Sequence, residues 1–431
     1  MSRSVQAGGV ARLLIGLSLG YFLVMLDTTI VTVALPAMSP SLSEQQWISN
    51  GYTLTFAAFL LTAGAWSDRF GARRVFFTGL AAFAVLSGLS ALAFSAAMVI
   101  ALRVLLGVAG ALLVPSSLSL IATAYPVPAA RAKAMGVWAA LSGTGLVAGP
   151  LLGGVLTQAF GWRAIFLVNV PAALIALALS AAAPATPPKP GRTDVTGQVS
   201  AIVALSTLTY ALVEGRPWVL ALSAVAAAVF VAAQRRPDAM FPPRLLSRGL
   251  LAGAIVNFGL SGVLFVLSLY FQETRGYSPS STGLAFLPLT IPTAFNPIFT
   301  GRLVARIGPR VPAVSGFALM ASGTFLQAFS SSAVLSVIAL ALLGFGVSLA
   351  IPSLLTAVVG SAPRELAGIA GGALNASRQT GAVIGVAALG AVLNATTPTT
   401  ALATAGVVLC AGAAIVAWEP QKAAANRAPR S

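Results

Sequence analysis

Long apolar runs alternate with short breaks of polar, proline and glycine residues from one end of the chain to the other. A helix that crosses a bilayer needs about 20 apolar residues. Runs of that length predict helices over 13–37, 47–66, 75–94, 98–122, 134–157 and 163–183. The segment PATPPKPGRTD (184–194) is too rich in proline to be helical. Two shorter runs follow, 197–213 and 217–233, separated by Glu214, Arg216 and Pro217. The stretch 234–249 is basic and proline-broken, with apolar Met240, Phe241, Leu245 and Leu246, and is expected to lie on the membrane surface. Six further runs cover 250–271, 281–301, 312–329, 333–357, 367–393 and 399–418. The expected architecture is therefore an all-α polytopic membrane protein in a 6+2+6 arrangement with 14 transmembrane helices. Its parts are a six-helix bundle (1–183), a linker with an inserted helix pair (184–249), and a second six-helix bundle with a short tail (250–431).

The chain also repeats itself at an offset of 237 residues. Gly64, Arg69, Gly71 and Arg73 recur as Gly301, Arg306, Gly308 and Arg310; Gly107, Pro115 and Ser116 recur as Gly344, Pro352 and Ser353. At an offset one residue shorter, 236, Gly145 and Gly149 match Gly381 and Gly385. Apolar words coincide by chance in such a chain, whereas glycine, proline and arginine kept in register do not. Parallel repeats in a polytopic membrane protein point to a secondary transporter.

Composition narrows the chemistry. Only 8% of the 431 residues are charged, against roughly 25% in soluble proteins. The absence of histidine removes imidazole bases and most zinc sites. Cys410 is the only cysteine, in an apolar run, so no intrachain disulfide can form. No GxxxxGK[ST] loop is present, so ATP does not power the chain directly; no cofactor is expected, and the energy must come from a gradient or from an ATPase partner. The first apolar run is too long for a cleaved signal and is expected to remain as helix 1. The net charge of +16 comes from loop arginines, not from a nucleic-acid surface. Arg163, Arg216 and Arg275 fall on one face and Arg103 and Arg378 inside spans; every other Lys and Arg falls on the face of the termini. The positive-inside rule makes that face cytoplasmic. The abundance of Ala, Gly, Pro and Arg hints at a GC-rich bacterial genome, hence a multi-pass protein of the bacterial cell membrane, with lipid, protons and a lipophilic small molecule as partners and a monomer as its expected state.

A charge inside a span costs about 2.5–3.5 kcal/mol on insertion scales. Asp27, in LDTTIVTVALP, is the only deep carboxylate; Arg103 is expected about one turn inside the outer end of helix 4, and Arg378 near the middle of helix 13. Asp27 is read as the proton carrier, the competing reading being a permanent Asp27–Arg ion pair that fixes helix packing. GAWSDRFGARR (64–74) carries Gly64, Asp68, Arg69, Gly71, Arg73 and Arg74, and Asp68 is replaced by Ala305 in the second copy, as expected for a latch confined to one half. In helix 5, Gly145, Gly149 and Gly153 share one face, with Pro150 and Gly154 beside them. Small residues at that spacing admit close helix contact, and a proline at the centre loosens the helix.

These stretches resemble the major facilitator superfamily and, within it, the fourteen-helix drug:proton antiporters. GAWSDRFGARR resembles the superfamily's loop 2–3 motif. GPLLGG, preceded by Gly145, resembles the helix 5 motif of exporters. LDTTIVTVALP, LRVLLGVAGALLVPSS, QWISNGYTL and RQTGAVIG resemble stretches of helices 1, 4, 2 and 13. Thr32 stands where the helix 1 motif usually has Asn, and only NATTPTT (394–400) occupies the place of an extracellular hairpin. The resemblance implies alternating access of two bundles, with proton influx driving export. It also implies roles in proton coupling for Asp27 and Arg103, a latch from Asp68 to the start of helix 13 near Ala367 in the outward-open state, and helix 5 glycines sealing the interface between bundles.

Asn257, Asn296, Asn375 and Arg378 are the expected cavity residues, and with a single deep acid they suit neutral, amphipathic or weakly anionic compounds, such as antibiotics or other natural products. A proton symporter importing a small organic solute fits the same fold, but the helix 5 glycines argue against it. A membrane enzyme would need a cluster of His, Asp or Glu at one face, and none exists.

Overall fold

The computed structural model describes residues 3–188, 194–236, 239, 241, 245–363 and 366–418, with side chains from Val10 onward. The chain begins with α1 (Arg3–Met38), α2 (Leu42–Phe70), α3 (Ala72–Ala91), α4 (Ala96–Ala124) and α5 (Pro128–Phe160). A short α6 (Ala164–Leu167) leads into α7 (Asn169–Leu179), and α8 (Val195–Val213) and α9 (Val219–Ala233) follow. Then come α10 (Arg248–Leu269), which ends in a π turn at Tyr270–Thr274, α11 (Pro279–Ala285), α12 (Leu287–Phe295) and α13 (Pro297–Ile307). The chain closes with α14 (Arg310–Phe329), α15 (Ala333–Ser361), α16 (Ala367–Ala395) and α17 (Pro398–Ala417). No strand occurs among the described residues.

Ten of these helical stretches are long and apolar enough to cross a membrane, and 164–179 and 219–233 are shorter apolar helices. Bulky apolar side chains such as Val85, Phe94, Leu174, Val225, Val334 and Phe345 point outward, a surface suited to acyl chains and not to water.

Several elements differ from the sequence expectation. Helix 2 begins at Leu42, not near 47, because Ser41 accepts the Glu44 N–H and lets the polar turn Ser43–Gln46 start the helix. Hydropathy cannot register a polar first turn. The run 281–301 is not one helix but α11, α12 and α13, broken at Phe286 and Asn296; Pro288, Pro292 and Pro297 each lack an N–H for the preceding turn. The run 163–183 divides at Val168, where Pro171 offers no donor to the Leu167 carbonyl, and its helix ends at Leu179. Within 234–249, Leu245 is buried in the protein and Leu246 is exposed; Met240 lies outside the described residues. Lys189, Arg192, Arg244, Arg364, Lys422, Arg427 and Arg430, all counted on the basic face, also lie outside them.

The repeat persists in three dimensions. Gly71 and Gly308, 237 positions apart, both adopt positive φ (+89° and +80°) at the turn after a helix, a conformation that disfavours any side chain. Gly107 lies against the Tyr52 carbonyl and Gly344 against the Leu289 carbonyl, again both 237 apart. The cap serines Ser41 and Ser278, and Ser95 and Ser332, are related in the same way. Correspondingly, α1 packs on α5 and α4 on α2 and α3, while α10 packs on α16 and α15 on α12 and α14.

Helices α8 and α9 pack on each other, and α8 fits between α2 and α16. Both ends of α8 are tied to α2. Glu214 accepts hydrogen bonds from Ser43 Oγ and Trp47 Nε1, each 2.8 Å, and Gln198 meets Thr62 at the other end.

Candidate functional site

Asp27 of α1 and Arg103 of α4 meet in an ion pair, 0% and 1% exposed. Arg103 lies seven residues into α4, about two turns and not one, because α4 starts at Ala96 on the Ser95 cap. Its Nε donates to the Ile48 carbonyl at 3.0 Å, and its guanidinium lies 4.5 Å from the centre of the Tyr52 ring. Asn169 of α7, fully buried, donates from Nδ2 to the free carboxylate oxygen of Asp27 at 3.0 Å. Sequence reasoning missed Asn169 and Tyr52. The available signal was an amide in an apolar run, since a buried polar group needs a partner. Of the two readings of Asp27, the geometry contains the ion pair; the carboxylate has no solvent contact in this arrangement.

The loop after α2 gathers the second set of residues. Gly71 presses against the Thr186 carbonyl, Arg73 N–H donates to Thr186 Oγ1 at 3.1 Å, and the Arg73 guanidinium donates to the Ala181 carbonyl at 3.2 Å. Arg69 stacks over Phe70 at 5.3 Å, and Arg74 is exposed. Asp68 is exposed and makes no hydrogen bond or ion pair among the described residues. It lines a cleft of about 410 Å³ with Gly64, Pro115, Ser119, Asp194 and Gly368. Thus Asp68 and the start of α16 share one cleft, and no bond joins them.

At the other end of the molecule the two halves are in contact. Ser268 Oγ donates to the Thr32 carbonyl at 2.8 Å, Gln272 to Val33 at 3.0 Å, and Gln46 to Val386 and Ala387 at 3.0 and 3.1 Å. Gln158 near the end of α5 meets Ser280 of α11. Of the α5 glycines expected at this interface, Gly154 alone lies there, against the Pro279 carbonyl, while the Pro150 carbonyl abuts Gly283. Gly145, Gly149 and Gly153 instead pack against Phe22, Thr29 and Ile30 of α1, inside the first half. Their shared face serves that contact, and Gly154, one residue round the helix, serves the other. Toward the opposite end of α5, a Cβ at Gly136 or Gly143 would meet nothing within 4 Å, while Ala134, Trp138 and Ser142 on its other side are buried.

The expected cavity residues divide. Asn296 joins α12 to α13 and donates to Ser348 Oγ at 2.7 Å, so its amide is already used. Asn257 Oδ1 accepts from Arg378 Nε at 3.2 Å. Asn375, one turn before Arg378, is half-buried. Across from them on α1, Tyr21 stacks on Trp138 of α5 with ring centres 4.3 Å apart, and Trp138 Nε1 donates to Ser117 Oγ at 3.1 Å. Among the described residues no group of His, Cys, Asp or Glu could hold a metal.

The Major Facilitator Superfamily profile matches residues 17–386 and, again, 249–431. The chain is 36% identical over 408 residues to a tetracenomycin C resistance and export protein of Streptomyces glaucescens, covering 88% of this chain and 75% of that one. It is 34% identical over 423 residues to a methylenomycin A resistance protein of Bacillus subtilis, with 91% and 90% covered. A crystal structure of a peptide transporter of the POT family in complex with a thioalcohol-conjugated peptide superposes with a TM-score of 0.73 at 13% identity, covering 95% of each chain, a likeness of fold alone. The chain belongs to the Major Facilitator Superfamily.

Proposed function

We propose that this protein is a proton-coupled antiporter of fourteen spans, arranged 6+2+6 with both termini cytoplasmic, that exports lipophilic drugs or natural products by alternating access. Membership in the superfamily makes it a transporter and not an enzyme. Its relatives, named as antibiotic resistance and export proteins, support the direction and the substrate class.

The observation that carries alternating access is the asymmetry along α5. Its Gly154 end meets α11 of the other half, whereas the Gly136 and Gly143 positions toward its other end have no neighbour within reach. With the basic loops on the cytoplasmic side, this is an inward-open arrangement, and the unengaged Asp68 fits it, because the latch would close only in the outward-open state. Proton coupling is assigned to the Asp27–Arg103 pair. Both Asp27 oxygens accept a hydrogen bond here, so protonation competes with the contacts to Arg103 and Asn169, which links protonation to movement among α1, α4 and α7. The lack of a phosphate loop leaves a gradient as the source of energy.

The test uses purified protein in liposomes, a panel of lipophilic compounds and an imposed pH gradient. Gradient-driven movement against the proton flux is expected. Transport indifferent to the gradient would end the antiport reading, and movement along with the protons would make the protein a symporter.

A further inference from the structure

We infer that Arg378 is the anchor for an anionic group on the transported compound, and that the substrates of highest affinity are aromatic acids: carboxylates, phenolates or acidic enols. This inference rests on the exporter reading and names the substrate class for the same cavity.

The two arginines inside spans are treated differently by the fold. Arg103 is neutralised by Asp27 and further held by Ile48 and Tyr52. Arg378 has no carboxylate within ion-pair distance among the described residues. Its Nε is used by Asn257, and its two terminal amino groups have no hydrogen-bond partner there. A guanidinium has five N–H donors, and its terminal fork matches a carboxylate or a comparable oxyanion in a bidentate manner. A charge near the middle of a membrane helix demands compensation, and no carboxylate among the described residues supplies it.

The surroundings point to where the compensation comes from. The side of α16 that bears Gly381 and Gly385 packs against the Ala254 and Phe258 carbonyls of α10, while Arg378 is half-buried. The Tyr21 hydroxyl of α1 lies within electrostatic reach of Arg378, although α1 and α16 do not pack extensively. That hydroxyl also has no hydrogen-bond partner among the described residues. The fork and the hydroxyl thus belong to different halves and lie close enough to interact electrostatically, and Tyr21 is stacked on Trp138. A flat ring fits against the aromatic pair while its acidic group meets the fork, the two recognitions reinforcing one another. A cationic compound would leave Arg378 unpaired and add a second positive charge beside it.

Binding of 2-naphthoic acid and of its methyl ester to the purified full-length protein in lipid nanodiscs, with empty nanodiscs as blank, tests the inference. The acid is ionised at pH 7, and the ester has the same ring without the charge. The wild type is expected to favour the acid by about tenfold or more, the size of a charge-assisted hydrogen bond. In Arg378→Gln the ratio of affinities falls to about one, and Arg378→Lys, a cation without the fork, lies between. Because Arg378→Gln could fail to fold, a second readout keeps Arg378 intact. In a Cys410→Ala background, Met25→Cys, one turn from Tyr21, is protected from maleimide by the acid and not by the ester. No acid preference in the wild type, an undiminished preference in Arg378→Gln, or equal protection by both compounds overturns the inference. Export of a neutral lipophile under a pH gradient, run alongside, reports on the exporter reading separately.

Discussion

Asp27 and Arg103, 76 residues apart in sequence, form the ion pair that joins α1 to α4, with Asn169 of α7 on the remaining carboxylate oxygen and solvent excluded. Removing one member of a buried pair strands the other, typically at about 3–5 kcal/mol, whereas removing both charges can be nearly neutral. Asp27→Asn should remain in the membrane and lose gradient-driven transport, and it should unfold at lower temperature than the wild type. The double variant Asp27→Asn/Arg103→Gln should recover much of the lost thermal stability and none of the coupled transport. If the double variant transports normally, the pair is only a packing device.

The α5 glycines allow a graded test of close packing. A Cβ at Gly149 would collide with Thr29 and the Ile30 backbone, so Gly149→Ala should destabilise by about 1–3 kcal/mol, the usual cost of overpacking. Gly143 has open space around it, and Gly143→Ala should be neutral or stabilising by up to about 1 kcal/mol, since glycine is a poor helix residue. Thermal unfolding of the two variants in the same detergent separates them. Equal losses would contradict the packing described for α1 and α5.

Gly154 should behave differently from Gly149, because it meets Pro279 of the other half. Gly154→Val is expected to wedge the sealed end apart and leave each half intact. A cysteine at Ser280, in a Cys410→Ala background, should then react faster with an impermeant thiol reagent. An unchanged labelling rate would show that the contact does not hold that end shut.

Asp68 has no hydrogen-bond or ion-pair partner among the described residues and shares its cleft with Gly368 at the start of α16. An anion facing a helix N-terminus is favoured by the dipole, enough to shift a two-state equilibrium about twofold or more. Asp68→Asn should therefore raise the inward-open population and slow turnover, with a smaller effect on substrate affinity. Asp introduced at Ala305 should bring no comparable benefit. Spin-label distances across the basic loops report the populations, and unchanged distributions with normal transport would reduce Asp68 to a solvated loop charge.

The ties from Glu214 and Gln198 to α2 lead to a statement about motion. Helix α8 is expected to travel with the first half and slide against α16. Distances between labels on α8 and α2 should stay constant when substrate or pH changes, and those between α8 and α16 should shift. The reverse pattern would assign the inserted pair to the second half.

The long apolar runs, the repeat and the sole deep acid were legible in the chain itself. Each depends on local composition or on register, quantities that require no knowledge of neighbours. The breaks at Phe286, Asn296 and Val168 were partly legible, since Pro288, Pro292, Pro297 and Pro171 stand in the sequence, but a hydropathy window averages over them. Asn169 was not found, because nothing local to α7 reveals that its amide faces Asp27.

The sequence by itself determined that this chain lives in lipid and is built twice over at an offset of 237. Tertiary structure alone decided that Arg103 is neutralised while Arg378 meets no carboxylate among the described residues, and that Gly154 faces the other half while Gly145, Gly149 and Gly153 face α1. The division has a physical cause. Partition into a bilayer sums over residues one at a time, so a one-dimensional string suffices to read it. Which face of a helix meets which neighbour depends on close-packed contacts between residues far apart in the chain, and a polar atom's partner is fixed only when those helices meet.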